Sequence, residues 1–370
     1  MNELEKLRNE IDEIDQIIVS AFEKRISIAK KIALYKMKND KEVQDISREA
    51  ALLKSRQEML NDCKLNKDVV QLFETLMSIS RVHQQKIVAE CTESEIKKVN
   101  NAVCVGFQGI KGAYSDIARK LFFGDGKSMA YQSFEEVFAA VSTHEIDFGV
   151  LPIENSYAGS VEQVYDLLNQ YDVSIVAEQL VEIDHALLGI KGAKISDICE
   201  VYSHDQAFLQ CADYLNLHSD WKLIPYYNTA ISAEYVAECK DLSKAAIASV
   251  YAGEVYGLEI LQKDIHSNGE NTTRFIIIGT DKYMEKDADK ASISFSLEHK
   301  TGSLSKVLDY FADCELNMVK IESRPLKNRN FEYVFYVDFE GEFIYEKIER
   351  VKLQIKKYCT QVRILGVYKK

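Results

Sequence analysis

Apolar residues at the start of the chain recur at helical spacing: Leu4, Leu7, Ile11, Ile14, Ile18, Phe22, Ala29 and Ile32 fall on one stripe. Residues 1 to about 95 contain neither Gly nor Pro, so the pattern predicts helix almost throughout. The stripe is not wholly apolar. Continuing the register 18, 22, 25, 29, 32, 36 puts Arg25 and Lys36 on it. The last helix of the segment repeats the pattern. Phe73, Met77, Ser80, Gln84 and Ile87 share a face, so two polar side chains stand where a core is expected. Between the two helices, the run DISRE offers Asp45 or Ser47 as an N-cap, with Arg48 and Glu49 in the first turn.

From about residue 102 to 281 the pattern changes to short apolar strands alternating with helices and punctuated by glycine, which predicts an α/β segment. Its strands end on polar clusters. AVCVGFQGIKGAYS predicts a strand, a loop with Gly106, Gly109 and Gly112, and a helix from about Ser115. FGVLPIENSYAG predicts a strand closing at Glu154 and Asn155, with Ser160 and Gln163 as a capping box for the next helix. CEVYSHDQAFLQC puts Ser203 and His204 at another strand end, with Gln210 on the helix behind. NTTRFIIIG puts Thr273 and Arg274 at the mouth of an apolar strand. The charged stretch DKYMEKDADKA then reads as a linker. Beyond it, ISFSLEH, a helix, NMVKIES, an NRN turn, FEYVFYVDFE, a second helix and VRILGV run in the order β-α-β-β-α-β, a ferredoxin-like α+β unit. Pro325 inside a strand pattern argues for an edge strand or a bulge. The chain is thus multidomain: all-α over 1–95, α/β over 102–281 and α+β over 291–370.

Composition narrows the partners. A chain of 370 residues exceeds one ordinary core, and 46% hydrophobic with 28% charged residues describes a soluble globular protein. A net charge of −12 excludes a general nucleic-acid binder but leaves small anions open, since an anion site takes only a few placed cations. The start, MNELEKLRNEID, has no apolar run of a signal peptide, and FIIIG and FGVLPI fall far short of a membrane span. Eight cysteines without a CxxC pair suit the reduced thiols of a cytoplasmic protein, and seven dispersed histidines offer no metal site.

Polar residues in the helical seam have two readings. One is a bundle or coiled coil with register-setting polar positions. The other is a pocket, because two cations with Ser and Gln in facing seams are costly to bury unless an anion joins them. Such a pocket, rich in cations and poor in nucleophiles, suits a reaction needing only positioning and charge stabilisation. LRNEIDEID, FEKRISIAKKIALYK, VQDISREAAL and SISRVHQQ together resemble the all-helical chorismate mutase family. Chorismate is a dicarboxylate that rearranges to prephenate by a pericyclic step. The resemblance implies Arg8, Arg25 and Arg48 as carboxylate clamps, and Lys36 with Gln84 at the ether oxygen. It implies Asp45, Glu49 and Ser80 around the substrate hydroxyl and ring. Arg8 would act in trans, which implies a homodimer or a higher homo-oligomer.

In the α/β segment, a glycine loop feeding a helix N-terminus is either an ordinary turn or an anion site. Several polar clusters at strand-to-loop junctions favour a ligand cleft, and the residues alone go as far as a small anion. GFQGIKGAYS, LPIENSYAG, YSHDQAFLQC, AAIASVYAGEVYGLEIL and NTTRF resemble, in order and spacing, the prephenate dehydratase family. Ile110, Gln108 and Ala113 depart from the commoner residues of its first motif. The resemblance implies a two-lobed, periplasmic-binding-protein-like fold and loss of carbon dioxide and water from prephenate, without metal or organic cofactor. Thr273 would donate to the departing hydroxyl, with Arg274 beside it and Glu154, Asn155, Ser203 and Gln210 holding the substrate. The QG-x-x-GAYS form also occurs in relatives acting on arogenate, so an arogenate-preferring cleft stays open.

The last unit is by pattern a dimerisation module or an effector site. TGSLSKVLDYF and IESRPLK resemble the ACT domain, which implies phenylalanine bound by Gly302, Ser303, Leu304, Glu322, Ser323, Arg324 and Pro325. Ser303 stands where Ala is commoner. The whole chain then reads as a bifunctional mutase and dehydratase inhibited by phenylalanine. A non-catalytic aromatic-acid sensor is the rival from another class, though a sensor need not keep Lys36, Gln84 and Thr273 together.

Overall fold

The computed structural model describes residues 2–38, 46–96, 103–267, 271–280, 288–297, 300–326, 332–342, 344–356 and 358–370. The Gly- and Pro-free segment forms α1 (Glu3–Lys38), α2 (Ile46–Glu58) and α3 (Asn66–Ile96). A single turn, Cys63–Leu65, precedes α3 and is capped by Asp62, whose carboxylate accepts from the Lys64 amide at 3.0 Å. Because α2 starts at Ile46, Ser47 lies inside the helix and is no cap, while the alternative cap, Asp45, lies outside the described residues. Helix α1 packs on α3 through its C-terminal half, where Ile26, Ala29 and Ala33 are buried and the alanines permit close approach. The first half of the predicted stripe is not buried. Leu4, Leu7, Ile11, Ile14 and Ile18 are 51–58% exposed, because nothing among the described residues of this chain covers that face. Ile32 is also exposed, at 41%.

The α/β segment begins with β1 (Cys104–Gln108), α4 (Tyr114–Phe123), β2 (Lys127–Tyr131), α5 (Phe134–Ser142), β3 (Phe148–Asn155), β4 (Gly159–Ser160), α6 (Glu162–Gln170) and β5 (Ser174–Glu182). It continues through β6 (Ala186–Gly189), β7 (Glu200–Ser203), α7 (Asp205–Gln210), α8 (Ala212–Asn216), β8 (Lys222–Pro225), α9 (Thr229–Cys239), β9 (Lys244–Ala248), α10 (Val250–Tyr256) and β10 (Glu259–Gln262). Then β11 (Thr272–Gly279) returns to the first sheet, whose order is β2-β1-β3-β11-β5 with β4 paired to β3. The second sheet has the order β10-β6-β9-β7-β8. In this sheet Leu187, Val201 and Ala245 face one apolar cluster while Leu188, Tyr202 and Ala246 face another, so both faces are covered and the strands read as near-continuous apolar runs.

One expectation fails here, for a local reason. Ser160 belongs to β4 and pairs with Glu154 of β3, so α6 starts after Val161 with no side-chain cap and the capping box does not form. Of the two readings of the glycine loop, the ordinary turn accounts for two of its amides, which are engaged within the protein. Gly109 N–H donates to the Tyr131 carbonyl at 2.8 Å, and Gly112 N–H donates to the buried carboxylate of Asp116 at 3.1 Å. The loop also joins the two sheets. Gly112, at φ +87°, lies against Ala252 of α10, its carbonyl accepts from Ser249 Oγ, and the Lys111 carbonyl accepts from Tyr256. A side chain at position 112 would press on Ala252 at 3.1 Å in a backbone region that favours glycine.

The tail forms β12 (Lys290–Leu297), α11 (Ser303–Asp313), β13 (Asn317–Pro325), β14 (Tyr333–Glu340), α12 (Ile344–Ile355) and β15 (Cys359–Tyr368). Its sheet order, β13-β14-β12-β15, makes β13 an edge, where Pro325 ends the strand without costing the sheet a hydrogen bond. Phe295, Phe311 and Phe339 centre its core. The NRN turn and most of the linker stretch lie outside the described residues. By contacts the chain forms two units. The first is Met1–Lys98, Tyr283–Ile321 and Leu326–Val367; the second is Val99–Lys282, Glu322–Pro325 and Tyr368–Lys370.

Candidate active sites

In the first unit, α1, α2 and α3 enclose a cavity of about 490 Å³, a volume ordinary for a small-molecule site. Arg25, Lys36, Arg48, Glu49, Ser80 and Gln84 line it together, over an apolar floor that includes Ala29, Leu52 and Met77. Ser80 and Gln84 are buried, at 6% and 8% exposure, in the seam where the spacing put them. The Arg25 guanidinium donates to the Leu76 carbonyl at 2.6 Å and to Ser80 Oγ, which fixes the head of this long side chain in the pocket. Burial lowers the Arg25 pKa, yet a guanidinium so far above neutrality stays charged. Arg8 does not reach this cavity and is exposed on the uncovered half of α1. Asp45 lies outside the described residues. Arg81, unmarked by the sequence pattern, lines the cavity and pairs with Glu49 at 2.6 Å.

In the second unit the polar site follows from strand register. β11 runs antiparallel to β3 with Thr273 opposite Asn155 and Arg274 opposite Glu154. The Asn155 carbonyl oxygen accepts from the amides of Tyr157 at 3.0 Å and Ala158 at 2.8 Å, so the orientation of its amide is set by backbone. Its nitrogen therefore faces the other way and donates to Thr273 Oγ1 at 2.9 Å and to Asn271 Oδ1 at 2.8 Å. With one lone pair of Oγ1 taken by a donor, the Thr273 hydroxyl keeps its own hydrogen to give. Arg274, 9% exposed, lies between Glu154 and Glu178, each at 3.3 Å.

Gln210 is held by a residue the sequence reading passed over. His185 Nε2 lies 2.8 Å from Gln210 Oε1, and its Nδ1 lies 3.1 Å from the Tyr114 hydroxyl. The Tyr114 hydroxyl also donates to the Asp184 carbonyl at 2.8 Å, so His185 bridges Gln210 and a tyrosine already anchored to backbone. No spacing marks His185, since EIDHALLG reads as an apolar strand with one polar residue at its entry. Ser203 is fully buried and its hydroxyl donates to the Ile247 carbonyl at 2.7 Å, so it braces β7 against β9 and does not join the group around Asn155.

The tail residues fall into two groups. Gly302, at φ +79°, starts α11, with Ser303 and Leu304 in its first turn and Leu304 packed on the tail core. Within the second unit, Glu322 accepts from Ser160 Oγ, and Arg324 pairs with Glu162 at 2.6 Å and Asp166 at 3.2 Å. Ser323 and Pro325 are exposed. Among the described residues no His, Cys, Asp and Glu cluster could hold a metal, and no helix is long and apolar enough to cross a membrane.

Comparison with known proteins matches both segments that carry these groups of residues. The family described as chorismate mutase type II matches residues 7–85, and the family described as prephenate dehydratase matches residues 105–283. A bifunctional chorismate mutase/prephenate dehydratase of Aquifex aeolicus (strain VF5) is 34% identical over 376 residues, spanning 100% of this chain and 99% of that one. An arogenate dehydratase/prephenate dehydratase 1, chloroplastic, of Arabidopsis thaliana is 37% identical over 285 residues, spanning 73% of this chain and 72% of the relative. The crystal structure of prephenate dehydratase in complex with L-Phe from Arthrobacter aurescens aligns at a TM-score of 0.67 with 27% identity, over 72% of this chain and 90% of that one. Two enzyme families matched on one chain make this a bifunctional enzyme. The chain belongs to the bifunctional chorismate mutase/prephenate dehydratase family, and carries both of its activities.

The His185 contact has a pH signature. Burial, the largest influence, pushes its pKa below the ordinary value of about 6.5. As pH falls below that value the unfolded chain takes up a proton that the folded ring resists. The stability His185 contributes is therefore complete above about pH 6.5 and lost toward lower pH. Urea unfolding followed through Trp221, the single tryptophan and part of the second sheet's core, should weaken from pH 7 to pH 5 in the wild type. The loss should be smaller in His185→Gln; parallel curves would clear His185 of the effect.

Proposed function

We propose that residues 1–95 form the mutase domain, 102–281 the dehydratase domain and 291–370 an ACT regulatory domain. The reading rests on one observation: a single chain holds a cation-rich, nucleophile-poor cavity and a separate hydroxyl donor set by a fixed amide. In the cavity, Arg25 and Arg48 take the carboxylates of chorismate, and Arg8 of a second copy completes the clamp. Lys36 and Gln84 meet the ether oxygen, where negative charge grows as the carbon–oxygen bond breaks. Groups aimed at developing charge stabilise the transition state more than the ground state, which is all a pericyclic step requires. Asp45, Glu49 and Ser80 hold the hydroxyl and the ring side.

In the dehydratase domain, which we read as two-lobed and periplasmic-binding-protein-like, prephenate loses its ring carboxylate as carbon dioxide. The electron pair of that bond enters the ring, and the hydroxyl leaves as water once it has gained a proton. Thr273 supplies the hydrogen bond to this leaving group. A threonine hydroxyl is a weak acid, so it relays a proton more readily than it surrenders one. Arg274, Glu154 and Asn155 fix the loop and the substrate, Gln210 helps hold the substrate, and Ser203 keeps its strand end in place. The tail binds phenylalanine through Gly302–Leu304 and Glu322–Pro325, an end-product coupling supported by the L-Phe complex of the Arthrobacter relative. The uncovered apolar face of α1 supports a homodimer or higher homo-oligomer in the cytoplasm. A cleft preferring arogenate is the second reading, favoured by the 37% identity to the Arabidopsis enzyme named for that substrate, and parallel turnover of arogenate and prephenate separates the two.

Purified protein given chorismate should yield prephenate and then phenylpyruvate, and no turnover of either would sink the reading. Thr273→Ala should let prephenate accumulate while chorismate is still consumed. Lys36→Ala should slow chorismate consumption on the order of 10²–10³-fold while added prephenate is processed normally. A phenylalanine titration that alters neither the dehydratase rate nor the oligomer size would reduce the tail to a structural module.

A further inference from the structure

Arg81 sits where the mutase cavity meets the tail. On α3, it lines the 490 Å³ cavity beside Gln84 and Ser80, and it also lines a second cavity of about 350 Å³ bounded by α12 and β15. Glu49 and Met77 belong to both walls. The Arg81 guanidinium pairs with Glu49 through Nη1 at 2.6 Å and reaches Glu349 of α12 through Nε at 3.9 Å. All three groups are shielded from solvent, with side chains 12%, 26% and 6% exposed for Arg81, Glu49 and Glu349, so these pairs are weakly screened. Glu349 in turn has Lys352 at 3.8 Å.

We infer that Arg81 is a positioning residue for the mutase site, one that holds the Glu49 carboxylate and ties it to the C-terminal helix α12. The inference rests on the reading of the cavity as the chorismate site. Glu49 is a carboxylate on the wall of a cavity that must receive a dicarboxylate. Released from Arg81, it can turn to cations on either lining it shares: Lys352 and Lys356 in the second cavity, or, in the mutase cavity, Lys36 and Arg48. A carboxylate turned onto Lys36 and Arg48 would compete with the substrate's own carboxylates. Arg81 keeps that carboxylate engaged and in place on the lining, off those cations and available to the substrate hydroxyl. The loss of such an arrangement weakens ground state and transition state alike, so it appears in KM more than in kcat. Glu349 is the second hold on Arg81, and through it the position of α12 enters the affinity of the mutase cavity.

The test is steady-state kinetics on the full-length protein with chorismate and, separately, with prephenate. Arg81→Met should raise the mutase KM about tenfold with kcat within about threefold, and Arg81→Lys should recover most of the loss. The dehydratase constants of the same preparations should not change, which separates positioning from misfolding. In a Glu49→Gln background, adding Arg81→Met should have no further effect on KM, because the charge to be held is gone. Glu349→Gln should move KM in the same direction by a smaller factor. An unchanged KM in Arg81→Met, or effects of Arg81→Met and Glu49→Gln that simply multiply, would overturn the positioning role. An unchanged KM in Glu349→Gln would overturn the link to α12. A wild-type protein that leaves chorismate untouched would instead defeat the reading of the cavity itself.

Discussion

The insertion of β11 between β3 and β5 is the pairing on which the dehydratase site depends. The strand arrives after the whole second sheet has been made, and its Thr273 meets Asn155 from 118 residues earlier in the chain. Phe275 to Gly279 are buried, so the apolar run pins the strand in its slot, and the polar end is carried into place as a consequence. Register is the sensitive variable. A slip of one residue would turn Thr273 to the opposite face and set Arg274 against Asn155. Phe275, Ile276, Ile277 and Ile278 are all buried, so both faces of β11 are covered and a slip would force each of these side chains into the packing of the other face. The placement of Thr273, the proposed donor, accompanies the burial of Ile276, Ile277 and Ile278.

The helical segment solves the opposite problem. Its polar residues lie inside the seam, and burying Arg25 near Lys36 and Arg48 is tolerable only because the seam opens into a cavity and because carbonyls and hydroxyls receive part of the guanidinium. The first half of α1 carries a regular apolar stripe left exposed by this chain, and Arg8 lies on that same half. A stripe of this length outside any core is what an extended helix offers to another helix. On the proposed reading of Arg8 as a clamp acting in trans, the same exposed segment would account for both that residue's position and the uncovered stripe.

Helix existence, strand order and the polar residues at strand ends were legible because each depends on a short window of sequence. Period 3.6 found Ser80 and Gln84, and the switch to short strands found Asn155, Ser203 and Thr273. Local rules failed where a distant partner outbid a local one. Ser160 gave up its capping role to pair in β4. His185 and Arg81 were invisible for a related reason. A histidine in an apolar strand and an arginine on a helix carry no periodic signal, and their importance comes from contacts with Gln210 and Glu49 far away in sequence.

By itself, then, the chain's order of residues determined its three kinds of local architecture, the strand mouths that bear polar groups, and the types of side chain available to each site. Those properties follow from periodicity, turn chemistry and propensity, which act over a few residues. Only tertiary structure decided which hydroxyl is fully buried and which can donate, as Ser203 and Thr273 illustrate, and which face of α1 is covered. Those outcomes depend on which partner a hydrogen bond or an apolar surface finds across the fold, and a carbonyl such as that of Ile247 leaves no mark beside Ser203 in the sequence.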